Sequence, residues 1–419
     1  MGLGHMGSFI VFAIATGLNR GSFFILMPLF ALMMPVEVFG ELSLSFTTSQ
    51  LLAPLLSLNV AVIISREIYE RRIVSFSFNS VLILFSLGVI ASSFAIFMVF
   101  ESLFSLVVCL AASEALFLLV STYVRYIKEP KYFLIITFVK CLTVVLLYVA
   151  LSVGFVSYSG DKLIFVILIS FVLANLISTV FFWPMCSFFK RGLLVRLFSF
   201  LKTNKILFLF AFTMLPHVVA QWAMAGFDRF IIRYFYDELA LGIYALSYSL
   251  ASLYMLVNSA LGLALPQLCV KNYEGFILRR YFYILLSAIT AIFLLFSFSL
   301  FFIVPFFFTE LDSDSIRIAL LLLVGFYLMS FYYYFSSIVF YKRDVFFLSA
   351  STVASACISV VLATAFTYHW GIIGAASAQV LSYFCYLVLV SSKLEPTIRR
   401  LTYLPIGVSA FFVIVISLL

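Results

Sequence analysis

Thirteen long apolar stretches fill this chain, and only short gaps separate them. They run at 8–34, 42–65, 75–99, 104–124, 132–155, 163–184, 206–233, 241–268, 281–308, 318–340, 345–368, 372–391 and 402–418. A helix needs about 20 mostly apolar residues to cross a bilayer, so the pattern predicts an all-α polytopic membrane protein. The residues are 65% apolar and 10% charged, and the mean hydropathy is +1.23. Soluble domains carry roughly 25% charged residues, so the solvent for this surface is lipid.

The gaps also orient the chain. Nineteen of its 25 lysines and arginines fall in every second gap: 66–74, 125–131, 186–205, 271–280, 341–344 and 393–400. The alternate gaps hold only Lys162 and Arg317 and are rich in acids, among them Glu37, Glu41, Asp237, Glu238, Asp312 and Asp314. Basic loops stay on the cytoplasmic side, which predicts a cytoplasmic N-terminus in a bacterial inner membrane. The net charge of +8 is spread over these loops, so it predicts contact with an anionic lipid leaflet rather than with nucleic acid. The first stretch is too long for a cleaved signal and reads as a retained helix. The six cysteines stand alone, without CxxC or a nearby histidine, and read as small apolar filler. The sequence carries no Walker, GxSxG or HExxH motif, which predicts a non-enzymatic protein without cofactor or metal.

The longest gap, 186–205, follows the sixth stretch and is basic and amphipathic. It divides the chain into an N-lobe at 1–185, a connector at 186–205, a C-lobe at 206–392 and an extra apolar segment at 393–419. A weak repeat supports two halves. Glu37-Val38-Phe39-Gly40 leads into Glu41-Leu42-Ser43, and Glu238-Leu239-Ala240-Leu241-Gly242 leads into Ile243-Tyr244-Ala245. Prolines bend the equivalent helix pairs, Pro28 and Pro54 in one half and Pro216 and Pro266 in the other. Interrupted helices in corresponding halves point to a transporter.

Four basic residues remain inside apolar stretches: Arg20, Lys140, Arg229 and Arg233. Helical rise places Arg20 about 18 Å deep and Lys140 about 13 Å deep. Glu114 and His217 lie at similar depths in their own helices. A charge at helix centre costs roughly 2.5–3.5 kcal/mol, so each must pair or face water. Two deep cations against one carboxylate leave a positive surplus, which suits an anionic ligand in a cationic cavity at Arg20, Lys140 and Arg229. Pairing of Glu114 with Arg20 or Lys140 is the structural alternative. Glu114 is the first candidate for ion coupling, and His217 follows Pro216 where the helix bends. Asp228 tunes the charge of Arg229. Adjacent residues point about 100° apart on a helix, so no direct pair between these two is expected. Arg233 is expected to snorkel to the interface. The run Phe331-Tyr332-Tyr333-Tyr334-Phe335 has the chemistry to stack on sugars, but its place in the cytoplasmic half makes an interfacial aromatic belt the first expectation.

Gly226-Phe227-Asp228-Arg229-Phe230-Ile231-Ile232, followed by Asp237-Glu238-Leu239-Ala240-Leu241-Gly242-Ile243-Tyr244, resembles a passage of the Wzx-type O-antigen flippases. Trp370-Gly371-Ile372-Ile373-Gly374-Ala375-Ala376 and the passage ending in Ser65-Arg66 are similar too. These proteins form the polysaccharide-transport branch of the multidrug/oligosaccharidyl-lipid/polysaccharide exporter superfamily. The resemblance implies two six-helix lobes in a V and alternating access; family members have 12 or 14 transmembrane helices, so 12 helices plus an extra C-terminal one at 402–418 is a departure from the pattern. It implies an undecaprenyl-diphosphate-linked O-antigen repeat unit as substrate, with its anionic head on Arg20 and Lys140. An O-antigen polymerase and a chain-length regulator are the implied partners, beside membrane lipid. Two rivals predict different sequences. A polymerase would carry a large outer loop with arginines, and a cation-exporting drug transporter would favour deep acids over deep bases.

Overall fold

The computed structural model describes residues 25–57, 88–99, 102–127, 130–153, 160–182, 205–307 and 312–418. Helices and the turns between them account for all the described residues. They are α1 (25–31), α2 (Val36–Leu56), α3 (Gly88–Val99), α4 (Leu103–Ile127), α5 (Pro130–Val153) and α6 (Gly160–Phe182). Then come α7 (Lys205–Phe235), α8 (Glu238–Ser252), α9 (Met255–Lys271), α10 (Arg279–Phe298), α11 (Ser313–Tyr341), α12 (Val345–Ser392) and α13 (Tyr403–Leu418). Among the described residues seven helical segments are long and apolar enough to cross a bilayer, or eight with α8 and α9, which meet at a 46° bend.

Two helices begin earlier than hydropathy predicts. The stretch expected from 42 starts at Val36, directly after Pro35, and the one expected from 241 starts at Glu238. The reason is electrostatic. Glu37 and Glu238 sit in first helical turns, where the exposed N–H groups and helix dipole favour an acid. Asp237 caps α8, its carboxylate accepting from the Ala240 amide at 2.8 Å. Both acid-then-glycine passages are therefore helix starts rather than loops.

The chain divides into two compact units. One is built on Leu42–Val219, and the other joins the segment ending at Glu41 to the chain from Ala220 onward. In the first, α6 packs against α4 and α5. The Asn175 amide on α6 donates to Ser113 on α4 at 3.1 Å, and Phe46 of α2 meets Phe171 edge-on at 4.8 Å.

In the second unit α11 is the central helix, packed against α8, α9, α10, α12 and α13. Most of its residues are buried from end to end. This overturns the expected aromatic belt. Phe331, Tyr334 and Phe335 are fully buried, and Tyr334 donates to the Phe276 carbonyl at 2.9 Å. Tyr332 stacks on Tyr386 with ring centres 4.0 Å apart. A belt requires a lipid-facing helix, and α11 faces protein on all sides.

α12 is a helical hairpin. Gly371 breaks it with φ +65°, a left-handed value that glycine adopts without strain. The limbs then run back along each other: Thr352 meets the Tyr386 hydroxyl at 2.8 Å, and Lys393 pairs with Asp344 at 3.1 Å. The extra C-terminal segment is also a full-length helix. Glu395, which precedes it, pairs with Lys342 at the end of α11, and Ser417 near its end accepts from Arg317 at the start of α11. The segment from Glu395 to Ser417, which contains the 16-residue α13, thus runs antiparallel to α11.

Candidate functional site

Of the six expected site residues, Glu114, Lys140 and His217 lie in the interior of their helices, Asp228 and Arg229 form a pair toward the end of α7, and Arg20 lies outside the described residues. Glu114 and Lys140 belong to the first unit. Each sits roughly 15 Å from the start of its helix, α4 or α5, by the 1.5 Å rise per residue. Their electrostatic influence is mutual. Their direct contacts are with other groups: the Ser49 hydroxyl of α2 donates to Glu114 Oε2 at 3.4 Å, and Lys140 Nζ lies 4.3 Å from the centre of the Phe117 ring. Lys140 is only 9% exposed. An ammonium over an aromatic face is stabilised by the ring quadrupole. His217 follows Pro216 within α7, and its buried Nδ1 finds no hydrogen-bond partner among the described residues.

Asp228 and Arg229 form a second cluster, on α7 in the second unit. Contrary to the expectation from helical spacing, they pair directly, Nη1 to Oδ1 at 3.5 Å. The Asp228 carboxylate turns back onto the backbone and accepts from the Arg229 amide at 2.8 Å, which brings it within reach of the long guanidinium chain. The rest of the pair's shell comes from neighbouring residues. The Tyr244 hydroxyl donates to Asp228, Arg229 donates to the Ala225 carbonyl at 3.2 Å, and its guanidinium lies 4.0 Å over the Tyr248 ring. Gln379 and Tyr383 of α12 border the Tyr248 hydroxyl. All six side chains are buried.

Sequence reasoning missed Ser49, Tyr244, Tyr248, Gln379 and Tyr383. Tyr244 and Tyr248 carried a usable signal, since i, i+4 tyrosines share one helix face. Gln379 is an amide one residue beyond the Gly371, Gly374, Ala375, Ala378 series, which reads as helix packing. Arg233 also departs from expectation. It does not simply reach for the interface: it pairs with Glu41 at 3.0 Å and Glu238 at 2.7 Å.

The family model for polysaccharide biosynthesis proteins matches residues 6–268. The chain belongs to the polysaccharide biosynthesis protein family. No curated protein sequence matches it. Solved structures with the same fold include the lipid II flippase MurJ in an inward closed conformation, 14% identical, with TM-score 0.57 over 99% of this chain and 96% of that one. An inward-facing multidrug-resistance MATE-family transporter of the MOP superfamily is 12% identical, with TM-score 0.56 over 98% and 95%. A MOP-superfamily transporter from Pyrococcus furiosus is 12% identical, with TM-score 0.50 over 97% and 96%. This polysaccharide-family chain is a multi-pass membrane protein that shares the fold of these transporters.

Proposed function

We propose that this protein is a flippase that carries an undecaprenyl-diphosphate-linked O-antigen repeat unit from the cytoplasmic to the periplasmic leaflet by alternating access. In this reading the N-lobe spans 1–185, the connector 186–205 and the C-lobe 206–392, arranged as a V of 12 spans with 393–419 added. Arg20 and Lys140 hold the diphosphate at mid-depth, and the polyprenyl tail stays in lipid. Arg229 receives the head nearer the outer side, with Asp228 setting its charge. Glu114, beside Lys140, is the site of ion coupling, and His217 lies at the bend in α7.

The observation that supports this best is Lys140: a buried cation 4.3 Å from the Phe117 ring centre, with no direct ion pair to a carboxylate among the described residues. A charge in that setting costs several kcal/mol to keep, and an arriving diphosphate adds to the counter-charge that Glu114 supplies without direct contact. The test replaces Lys140 with Glu, and separately Arg20 with Glu, in cells lacking the native gene. Loss of surface polysaccharide at undiminished protein level is the expected result. Normal surface polysaccharide from either variant removes that residue from the mechanism.

A further inference from the structure

Among the described residues, one residue other than glycine has a left-handed backbone: Arg343, with φ +62°. It lies in the turn between α11 and α12, within the second unit. Its amide donates to the Phe340 carbonyl at 2.9 Å, and the Asp344 amide donates to the Val339 carbonyl at 3.3 Å. These two bonds are the Schellman ending of a helix, and the residue in the place of Arg343 is usually glycine. A side chain disfavours that conformation about 5- to 30-fold. The position therefore holds an arginine at a conformational cost.

The turn does not need the arginine to hold its shape. Lys342 pairs with Glu395 at 3.2 Å, and Asp344 pairs with Lys393 at 3.1 Å. Both neighbours of Arg343 are thus tied across to the turn that leads to α13. Asp344 also caps α12, accepting from the Phe347 amide at 3.3 Å. Tyr341 stacks on Tyr273 with ring centres 4.3 Å apart, which draws in the turn before α10. The dipole at the end of α11 already meets the charge of Lys342. Arg343 itself is exposed and has no ion pair among the described residues.

The length of α11 sets the depth of this turn. Its 29 residues span about 44 Å, the thickness of a bilayer with its headgroups. Arg343, just past its end, lies at headgroup level. The turns joined to it are cationic. Lys271, Arg279, Arg280, Arg399 and Arg400 are exposed and without an ion pair among the described residues, against one such acid, Glu274. At that level the abundant anion is the phosphate of the lipid itself.

We propose that Arg343 is the binding site for the phosphodiester headgroup of an anionic phospholipid in the leaflet on that side of the membrane. A guanidinium meets a phosphate through two parallel hydrogen bonds, and the surrounding cations gather anionic lipid near it. Such a site does not depend on the flippase reading or on the substrate.

The test uses the full chain in nanodiscs of neutral phosphatidylcholine, with or without added phosphatidylglycerol. Tm is measured in both, and phosphatidylglycerol kept by the protein is followed by native mass spectrometry. The parent should melt higher with phosphatidylglycerol and should retain it. Arg343→Gly should melt no lower than the parent in neutral discs, and up to about 8 °C higher, because it relieves the left-handed backbone. Its affinity for phosphatidylglycerol should fall about 5-fold, the worth of one cation beside an anionic surface. Arg343→Asn, which also tolerates this backbone, decides the matter if Arg343→Gly is not produced. Arg399→Gln should weaken retention less than either. A parent that gains nothing from phosphatidylglycerol, or an Arg343→Gly that keeps the whole gain, overturns the site. Arg343→Gly melting below the parent in neutral discs assigns the side chain to the fold and overturns it too. Equal weakening by Arg399→Gln shows diffuse charge instead of a site, and a gain reproduced by inorganic phosphate in neutral discs shows a soluble anion instead of a lipid.

Discussion

The buried pair of Asp228 and Arg229 allows a structural role to be separated from a transport role. Asp228 is 6% exposed and Arg229 5%. Asp228→Ala removes the carboxylate that lies 3.5 Å from the guanidinium. It also strands the Tyr244 hydroxyl, which donates to that carboxylate. Breaking one partner of a buried ion pair costs about 3–5 kcal/mol, whereas replacing both with apolar groups of similar size is roughly neutral. At about 2–4 °C per kcal/mol for a unit of this size, Asp228→Ala should lower Tm by roughly 6–20 °C. Arg229→Met should cost a comparable amount. The double variant Asp228→Leu with Arg229→Met should melt within a few degrees of the parent.

The assay is thermal unfolding in detergent, followed by surface polysaccharide in cells lacking the native gene. A stable double variant that fails to restore polysaccharide gives Arg229 the proposed role toward the substrate. A stable double variant that restores it makes the pair purely structural. If either single variant is as stable as the parent, the account of the pair as a mutually dependent buried charge is wrong.

Two further outcomes follow from the backbone. Gly374→Ala places a Cβ 2.0 Å from the Phe366 carbonyl oxygen, and backbone cannot move aside cheaply; protein yield should fall sharply, while Gly407→Ala, with open space around it, should have no effect. α13 runs antiparallel to α11 from the Lys342 end to the Arg317 end, so reporters fused after Arg400 and after Leu419 should report opposite sides of the membrane. A fusion pair reporting the same side would refute the crossing.

The described spans were readable because lipid enforces them strictly. A run of apolar residues survives without any knowledge of packing. The break at Gly371 was likewise readable, since the short gap 369–371 separated two stretches. Helix starts were less legible. Hydropathy counts Glu37 and Glu238 as gap residues, whereas capping and the helix dipole draw them into the first turn. The aromatic run at 331–335 was misread because side-chain type does not tell whether a helix faces lipid or protein. Only the position of α11 among five neighbours decides that. The direct Asp228–Arg229 pair was missed for a different reason: an angle between Cβ directions ignores the reach of a long side chain.

The two buried cations that remain in view are satisfied to different degrees, and that difference bears on which one meets the substrate. Arg229 already has a carboxylate at 3.5 Å, a carbonyl and an aromatic face. A diphosphate approaching it must compete with Asp228, and burial strengthens that competitor rather than screening it. Lys140 has an aromatic face at 4.3 Å and feels Glu114 as its opposing charge, while Ser49 supplies the contact to that carboxylate. A carrier must also let its cargo go, which favours the cation that is not held in a direct ion pair over the one with a carboxylate at 3.5 Å. On this ground Lys140→Met should abolish transport at near-normal stability, whereas Arg229→Met should damage stability first. The two variants compared in the same membrane, by Tm and by surface polysaccharide, decide between the sites; equal losses of stability in both would refute the distinction.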